Sequence, residues 1–204
     1  FEGQRKILLN LISKYFVNKK NLNVVDAGCG TGFNIFFLQK FGEVIGIDYS
    51  REALNYCHKR GITNTIHSKI EKTKLEKQSI DLITSIGVFY HKDVNTDKVL
   101  KEFNRILKKK GKIIICTPAM KFLRHHFFRT THDDLNHTGR RHNYNELKKQ
   151  IETHGFSVIK ISYFTFFLFF PIVFFRFIST FISYFFKINK KSEIYNYNIV
   201  VNYI

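Results

Sequence analysis

Cysteine is scarce in this chain, and its three copies, at 29, 57 and 116, show neither disulfide nor metal-ligand spacing. That excludes a disulfide-stapled scaffold and a cysteine-built zinc site, and it fits a reducing compartment. Tryptophan is absent and methionine occurs once. Acids are in deficit: 16 Asp and Glu against 33 Lys and Arg leave a net charge of +17. No arginine-rich stripe interleaved with aromatics accompanies that excess, so nothing marks a nucleic-acid groove. Most of the positive charge is lysine in short groups such as 19–20 and 108–110, which read as a solvated basic face. No secretory signal is expected from the residues at the start. Phe1 in place of methionine sets the expectation of a piece of a longer chain located in the cytoplasm.

Phenylalanine is the residue in excess, with 23 copies in 204 residues, many of them toward the C-terminus. The length suits one domain with a real core. A hydrophobic share of 44% beside 24% charged residues belongs to a globular chain. Ile7, Leu8, Leu11, Ile12, Tyr15 and Phe16 recur at helical spacing, so an amphipathic helix comes first. "LNVVDAG" reads as a buried strand, "GFNIFFLQKFG" as a helix leaving a glycine turn, and "EVIGIDYS" as a second strand. A helix follows over "SREALNYCHKRG", with Ser50 as N-cap and Gly61 at its end. "SIDLITSIG" is a strong strand, "TDKVLKEFNRILKKKG" a helix ending at Gly111, and "KIIICTPA" another buried strand. "NYNELKKQIETHG" is again helical, and "FSVIKISYF" is strand-like. This alternation predicts an α/β fold, a Rossmann-like sandwich with a mostly parallel central sheet and helices on both faces. Ligands of such sheets sit beyond the carboxyl ends of the strands.

The stretch "VVDAGCGTGFNIF" places Gly28, Gly30 and Gly32 where a strand turns sharply into a helix. Glycine permits positive φ and close backbone approach, and the helix start offers free N–H groups to a polar ligand. A dinucleotide fingerprint would carry its third glycine at 33, which here is Phe33. Asp48 ends the second strand, where a carboxylate can accept both hydroxyls of a ribose. Asp26, before the first glycine, can order the turn and attract an amino group. Together these residues form a nucleoside site without a diphosphate cradle.

"VVDAGCGTG" followed by "VIGIDYS" resembles the class I S-adenosylmethionine-dependent methyltransferases. "SIDLITSIGVFYH" resembles that family's fourth strand and following loop, and "VLKEFNRILKKKGKIIICTPA" its helix, turn and fifth strand. The likeness runs from about residue 1 to 165. It implies S-adenosylmethionine as cofactor, with Asp26, Gly28 and Gly30 at the methionine end and Asp48 on the ribose. Cys29, Thr31, Gly32, Tyr49 and Ser85 belong to the same implied cofactor site. The family often places an acid after the third strand; this chain has Ser68, Lys69 and Ile70, so backbone and apolar contacts are expected to hold the adenine. Two other functions share parts of the pattern: a nicotinamide-dependent oxidoreductase, against which the missing third glycine argues, and a non-catalytic membrane protein that keeps the fold.

The loop "SIGVFYH" lacks the Asn/Asp-Pro-Pro-aromatic tetrapeptide of methyltransferases acting on nucleobase or glutamine amines, so nucleic acid is not expected as a partner. The histidine-rich stretch 118–145 has no ligand spacing, and no metal is expected. It resembles a bacterial subgroup carrying proline-alanine, then His-Asp, a His and an Arg-Arg pair. His132, Asp133, His137, Arg140 and Arg141 match that order, with His142 standing where an aromatic is usual. The resemblance implies a lid, His132 backed by Asp133 as base, and His91, His137, Arg140 and Arg141 on the substrate. A hydrogen-bonded surface loop is the plainer alternative.

The segment 161–190 is dominated by "YFTFFLFFPIVFFRFISTFISYFFKI". Pro171 and Arg176 interrupt it as a membrane span, and Arg176, Ser179, Thr180, Ser183 and Lys187 form one helical stripe. Peripheral membrane contact through 163–188, on the inner face, is the expectation, with burial in a core or a dimer as the alternative. Subgroup members carry a similar stretch, which implies a small-molecule or lipid-linked acceptor. Residues 1–160 are expected to form the cofactor domain and 191–204 a truncated C-terminal piece.

Overall fold

A strand buried on both faces must be apolar along its length, because no side of it meets water. "LNVVDA" meets that demand: Val24, Val25 and Ala27 are fully buried, and only Asn23 is exposed. It becomes β1 (Leu22–Ala27), the central strand of the sheet. The computed structural model describes residues 2–17, 21–117 and 143–162, with six further positions between 170 and 178. Around β1 lie β2 (Gly42–Asp48), β3 (Thr65–His67), β4 (Ile80–Ile86) and β5 (Leu107–Cys116). All pair in parallel, in the order β3-β2-β1-β4-β5. The chain runs outward from β1 through β2 to β3, then returns to the other side for β4 and β5. The reversal opens a crevice at the carboxyl ends of β1 and β4.

Helices cover both faces. On one side α1 (Glu2–Tyr15), α2 (Ile35–Leu38) and α3 (Arg51–Lys59) pack on the face of Val24 and Leu82. Leu8, Ile12 and Phe16, one turn apart, are the buried stripe of α1 and its C-terminal extension. On the other side α4 (Thr96–Ile106) packs on the face of Val25 and Ile83. It buries Val99, Leu100, Phe103 and Ile106, spaced to face inward together. Each such side chain contributes roughly 1.5–3 kcal/mol of burial. A further helix, α5 (Tyr144–Thr153), packs beside α4 through Gln150 Nε2, which donates to Thr96 Oγ1 at 2.7 Å.

Three elements differ from what the sequence pattern predicts. The helix expected to reach Gly111 ends at Ile106, because the strand pair captures its last carbonyls: Gln78 N donates to Arg105 O and Ser79 N to Ile106 O. Leu107 pairs with Ile80, and the register jumps so that Lys112 faces Leu82. Gly111 makes that bulge possible, since a Cβ there would lie 2.6 Å from Leu107 Cγ. The helix after the glycine turn is one turn of α2 followed by a 3-10 turn, Gln39–Phe41. The stretch from Phe156 to Ser162 runs beside β5 without joining the sheet. Asn104 Nδ2 holds His154 O at 2.7 Å, and Gly155 turns there with φ +83, leaving a groove of about 590 Å³ against Ile113 and Ile115.

The loop between β3 and β4 is fixed from α4. Glu102 Oε1 accepts from the Thr73 amide at 2.8 Å and the Thr73 hydroxyl at 2.7 Å. Arg105 Nε and Nη2 donate to the same carboxylate at 2.8 Å, and Nη2 also donates to Leu75 O at 2.7 Å. The Arg105 hydrogen bonds, aided by those from Thr73 against the cost of burial, hold the Glu102 carboxyl down from 4.5 to about 2. A depressed carboxyl stabilises the fold above its ordinary value, and that contribution drains away as pH falls from 4.5 toward 2. Glu102→Gln is therefore expected to cost about 1–3 kcal/mol in urea unfolding at neutral pH and distinctly less near pH 3. An equal deficit at both pH values would refute the role of the charge.

Candidate functional site

The crevice is built where β1 and β2 end. After Ala27 the backbone passes through Gly28 (φ +81), Gly30 (φ +53) and Gly32 (φ +79), a left-handed region that only glycine enters freely. The three glycines do different things. A Cβ on Gly28 would lie 2.3 Å from Val88 Cγ2, so this glycine lets the loop after β4 close on the turn. On Gly32 it would lie 2.7 Å from Ile62 Cδ1 and 2.9 Å from Cys57 Sγ, so that one admits α3. At Gly30 it would meet nothing within 4 Å. The backbone there faces open space.

Two buried carboxylates flank the turn. Asp48 Oδ2 accepts from Gly30 N and Oδ1 from Ser50 N, both at 2.8 Å. Ser50 caps α3, its hydroxyl accepting from Ala53 N at 3.2 Å, so Asp48 is free of capping duty. Asp26 lies opposite Thr84 in the β1–β4 register, and its Oδ1 accepts from the Thr84 hydroxyl at 2.8 Å. Among the described residues Asp26 Oδ2 is buried with no partner. Burial, with the charge of Asp48 adding to it and the Thr84 hydrogen bond opposing, pushes the Asp26 carboxyl up from 3.8 to about 6. A buried acceptor left open costs about 1–3 kcal/mol, which a cationic donor would offset.

Other side chains set the turn from outside. Arg60 Nη1 donates to Thr31 O at 2.9 Å and Thr31 Oγ1 at 3.3 Å. Cys57 Sγ donates to Gly30 O at 3.2 Å. Burial pushes the Cys29 and Cys57 thiols up, so both stay neutral and fill space rather than act as nucleophiles. Arg60, Cys57, Thr84 and Val88 carry no signal in one sequence. Only the sheet register and the packing of α3 bring them to the turn.

The structure thus brings Asp26, Gly28, Cys29, Gly30, Thr31, Gly32, Asp48 and Tyr49 together. Tyr49, beside Asp48, is 74% exposed, while its carbonyl is hydrogen-bonded to His67 Nε2 at 2.8 Å. After β3, Ser68 N donates to Asp48 O at 3.0 Å, Ile70 is buried and Lys69 is exposed. The Ser68 hydroxyl is spent on Lys69 O and Lys72 O, which leaves backbone and Ile70 as the surfaces on offer. Ser85 does not join them: it alternates with Thr84 onto the face of Ile83, fully buried, its hydroxyl without a partner. His91 lies in the loop after β4, stacked on Tyr90 at 4.4 Å. His132, Asp133, His137, Arg140 and Arg141 lie outside the described residues. Among the described residues no cluster of metal-ligating side chains occurs.

A family model described as a methyltransferase domain matches residues 18–159. A malonyl-[acyl-carrier protein] O-methyltransferase of Hamiltonella defensa is 35% identical over 104 residues, covering 50% of this chain and 40% of that protein. A ubiquinone/menaquinone biosynthesis C-methyltransferase of Campylobacter jejuni is 31% identical over 122 residues, covering 55% of this chain and 50% of its own. Among solved structures, geranyl diphosphate C-methyltransferase from Streptomyces coelicolor A3(2), in complex with Mg2+, geranyl diphosphate and S-adenosyl-L-homocysteine, has a TM-score of 0.62 at 15% identity. That likeness of fold covers 76% of this chain and 61% of the other. The matched stretches span half or less of the length of these two curated relatives.

The open acceptor on Asp26 gives a sign that can be checked. Its raised carboxyl is a cost of folding that grows as pH rises from 3.8 toward 6 and is full above that. Asp26→Asn keeps the Thr84 hydrogen bond and removes the buried charge. It should raise stability by roughly 1–2 kcal/mol at pH 7.5 and leave it nearly unchanged at pH 4. Loss of stability at pH 7.5 would show that the carboxylate is satisfied after all.

Proposed function

Because the chain belongs to the methyltransferase-domain family, we propose that it transfers a methyl group from S-adenosylmethionine to a small-molecule or lipid-linked acceptor at or near a membrane. The observation that carries the cofactor assignment is the open space at Gly30 between two buried carboxylates, one with an acceptor oxygen unspent. A nucleoside with a cationic amino-acid tail fits that donor and acceptor set. Asp26 Oδ2 would accept from the ammonium. Asp48, whose oxygens each hold one backbone N–H, keeps lone pairs for the ribose hydroxyls. The exposed ring of Tyr49 and the backbone at Ser68–Ile70 would flank the base. S-adenosylmethionine supplies a methyl group already activated on a sulfonium.

What remains for the chain is positioning and, for a protic acceptor, removal of a proton. His132 oriented by Asp133 takes that proton in our reading, and His91, His137, Arg140 and Arg141 hold the acceptor. The membrane part is supported by the rings of Phe170, Phe174, Phe175 and Phe177, each at least half exposed. No helix among the described residues is long and apolar enough to cross a membrane, so we place this segment at the surface of one. The relative named for quinone biosynthesis fits an apolar acceptor with a polar head.

Calorimetry with S-adenosylhomocysteine and, in parallel, NAD tests the assignment. We expect the first alone to bind, and Asp48→Ala to weaken it at least a hundredfold, about 3 kcal/mol, since the substitution also frees Gly30 N and Ser50 N. His132→Ala should leave that affinity intact and slow transfer of labelled methyl into a membrane lipid extract. Preferential binding of NAD would overturn the cofactor. Equal loss of affinity in both variants would overturn the role given to His132.

A further inference from the structure

Among the described residues the sheet stops at β5. Ile113, Ile114 and Ile115 are only half-buried there, although the strand pairs with β4 along its other side. The groove of about 590 Å³ beside them is bounded by the stretch from Gly155 to Ser162. That volume falls within the range of about 300–1,000 Å³ typical of small-molecule sites. Its floor is apolar: Leu100 of α4, Leu147 and Ile151 of α5, and Phe156 meet the isoleucines of β5. Ile159, 60% exposed, lines it as well.

The charge around this groove has one sign. Lys108, Lys109, Lys110, Lys112 and Lys160 line it, and among the described residues no Asp or Glu does. Lys108 is held by Asp81 Oδ2 at 2.7 Å, and Lys112 lies 5.7 Å from the Phe16 ring centroid. Lys109, Lys110 and Lys160 are exposed and have no ion pair among the described residues. The bulge at Gly111 gathers four of the five lysines at the start of β5. A free phosphate would leave the apolar floor uncovered, and a neutral hydrocarbon would leave the lysines unmet. An apolar trough with a cationic end is complementary to a molecule with an apolar tail and an anionic head. The wall of the groove also runs at Ser162 into the phenylalanine-rich stretch, where Phe170 and Phe174 are exposed.

We propose that this groove binds one anionic phospholipid taken from the membrane surface, with an acyl chain along Ile113 and Ile115 and the phosphate on Lys109 and Lys110. The inference rests on the membrane part of the reading above for its source of lipid and does not need the cofactor assignment. In a parallel sheet the start of β5 lies at the end opposite the crevice over Gly30. The lipid is therefore an anchor that holds the domain on the membrane, not the methyl acceptor.

The experiment is calorimetry of the full chain with dihexanoylphosphatidylglycerol kept as dispersed monomer. Wild type should bind it, more weakly as salt is raised. Dihexanoylphosphatidylcholine, with the same tails on a neutral headgroup, and inorganic phosphate should each bind at least tenfold more weakly. Lys109→Glu combined with Lys110→Glu should weaken the anionic lipid at least tenfold, and Ile159→Ser about threefold or more. An unchanged urea midpoint shows that each variant is folded. Equal binding of the two lipids, or indifference to both sets of substitutions, overturns the proposal. So does no binding by wild type, the result for a groove filled from within the chain or kept for an acidic partner strand. Vesicles of phosphatidylcholine and phosphatidylglycerol test the membrane reading separately, with Phe174→Asp combined with Phe175→Asp as the control. Wild type that binds vesicles but not the monomeric lipid overturns the groove and spares that reading. Wild type that binds the monomeric lipid but no vesicle overturns the membrane as its source.

Discussion

The carboxylate of Asp48 ties together everything at the carboxyl end of the sheet. One oxygen holds Gly30 N and the other Ser50 N, so a single side chain joins the glycine turn to the start of α3. Around it Arg60 grips Thr31, Cys57 grips Gly30 O, and Ser68 N reaches the Asp48 carbonyl. The turn passes through positive φ at three glycines, and these contacts hold it in that conformation. What they leave free is the surface of Gly30.

That arrangement trades stability for binding. Among the described residues Asp26 is buried with one oxygen open. A neutral or paired side chain at that position would be easier to fold. A buried acceptor left unmet at the edge of a crevice is the mark of a site shaped for a ligand.

The fold was legible because β1, β2 and β4 are short apolar runs separated by helices that read at a 3.6-residue period. Ser50 and Gly61 delimit α3 by their own chemistry. Gly28, Gly30, Asp26 and Asp48 were legible for the same local reason: a turn and an acid at strand ends. What could not be read was set by partners distant in sequence. The end of α4 depends on Gln78 and Ser79 from the neighbouring strand pair, and the bulge at Gly111 on Leu107 and the Asp81 carbonyl. "FSVIKISYF" has a strand's alternation, yet over the described residues 156–162 it finds no ladder at the β5 edge. The pairing of Asp26 with Thr84 follows only from register.

The function proposed here turns on whether the crevice over Gly30 holds S-adenosylmethionine. A crystal structure of the chain with S-adenosylhomocysteine tests it most directly. The expected result has the ribose hydroxyls on Asp48, the ammonium on Asp26 and the nucleoside passing over Gly30 without contact to a side chain there. A ligand seated elsewhere, or a glycine turn closed on itself with Asp26 paired to the protein, would contradict it.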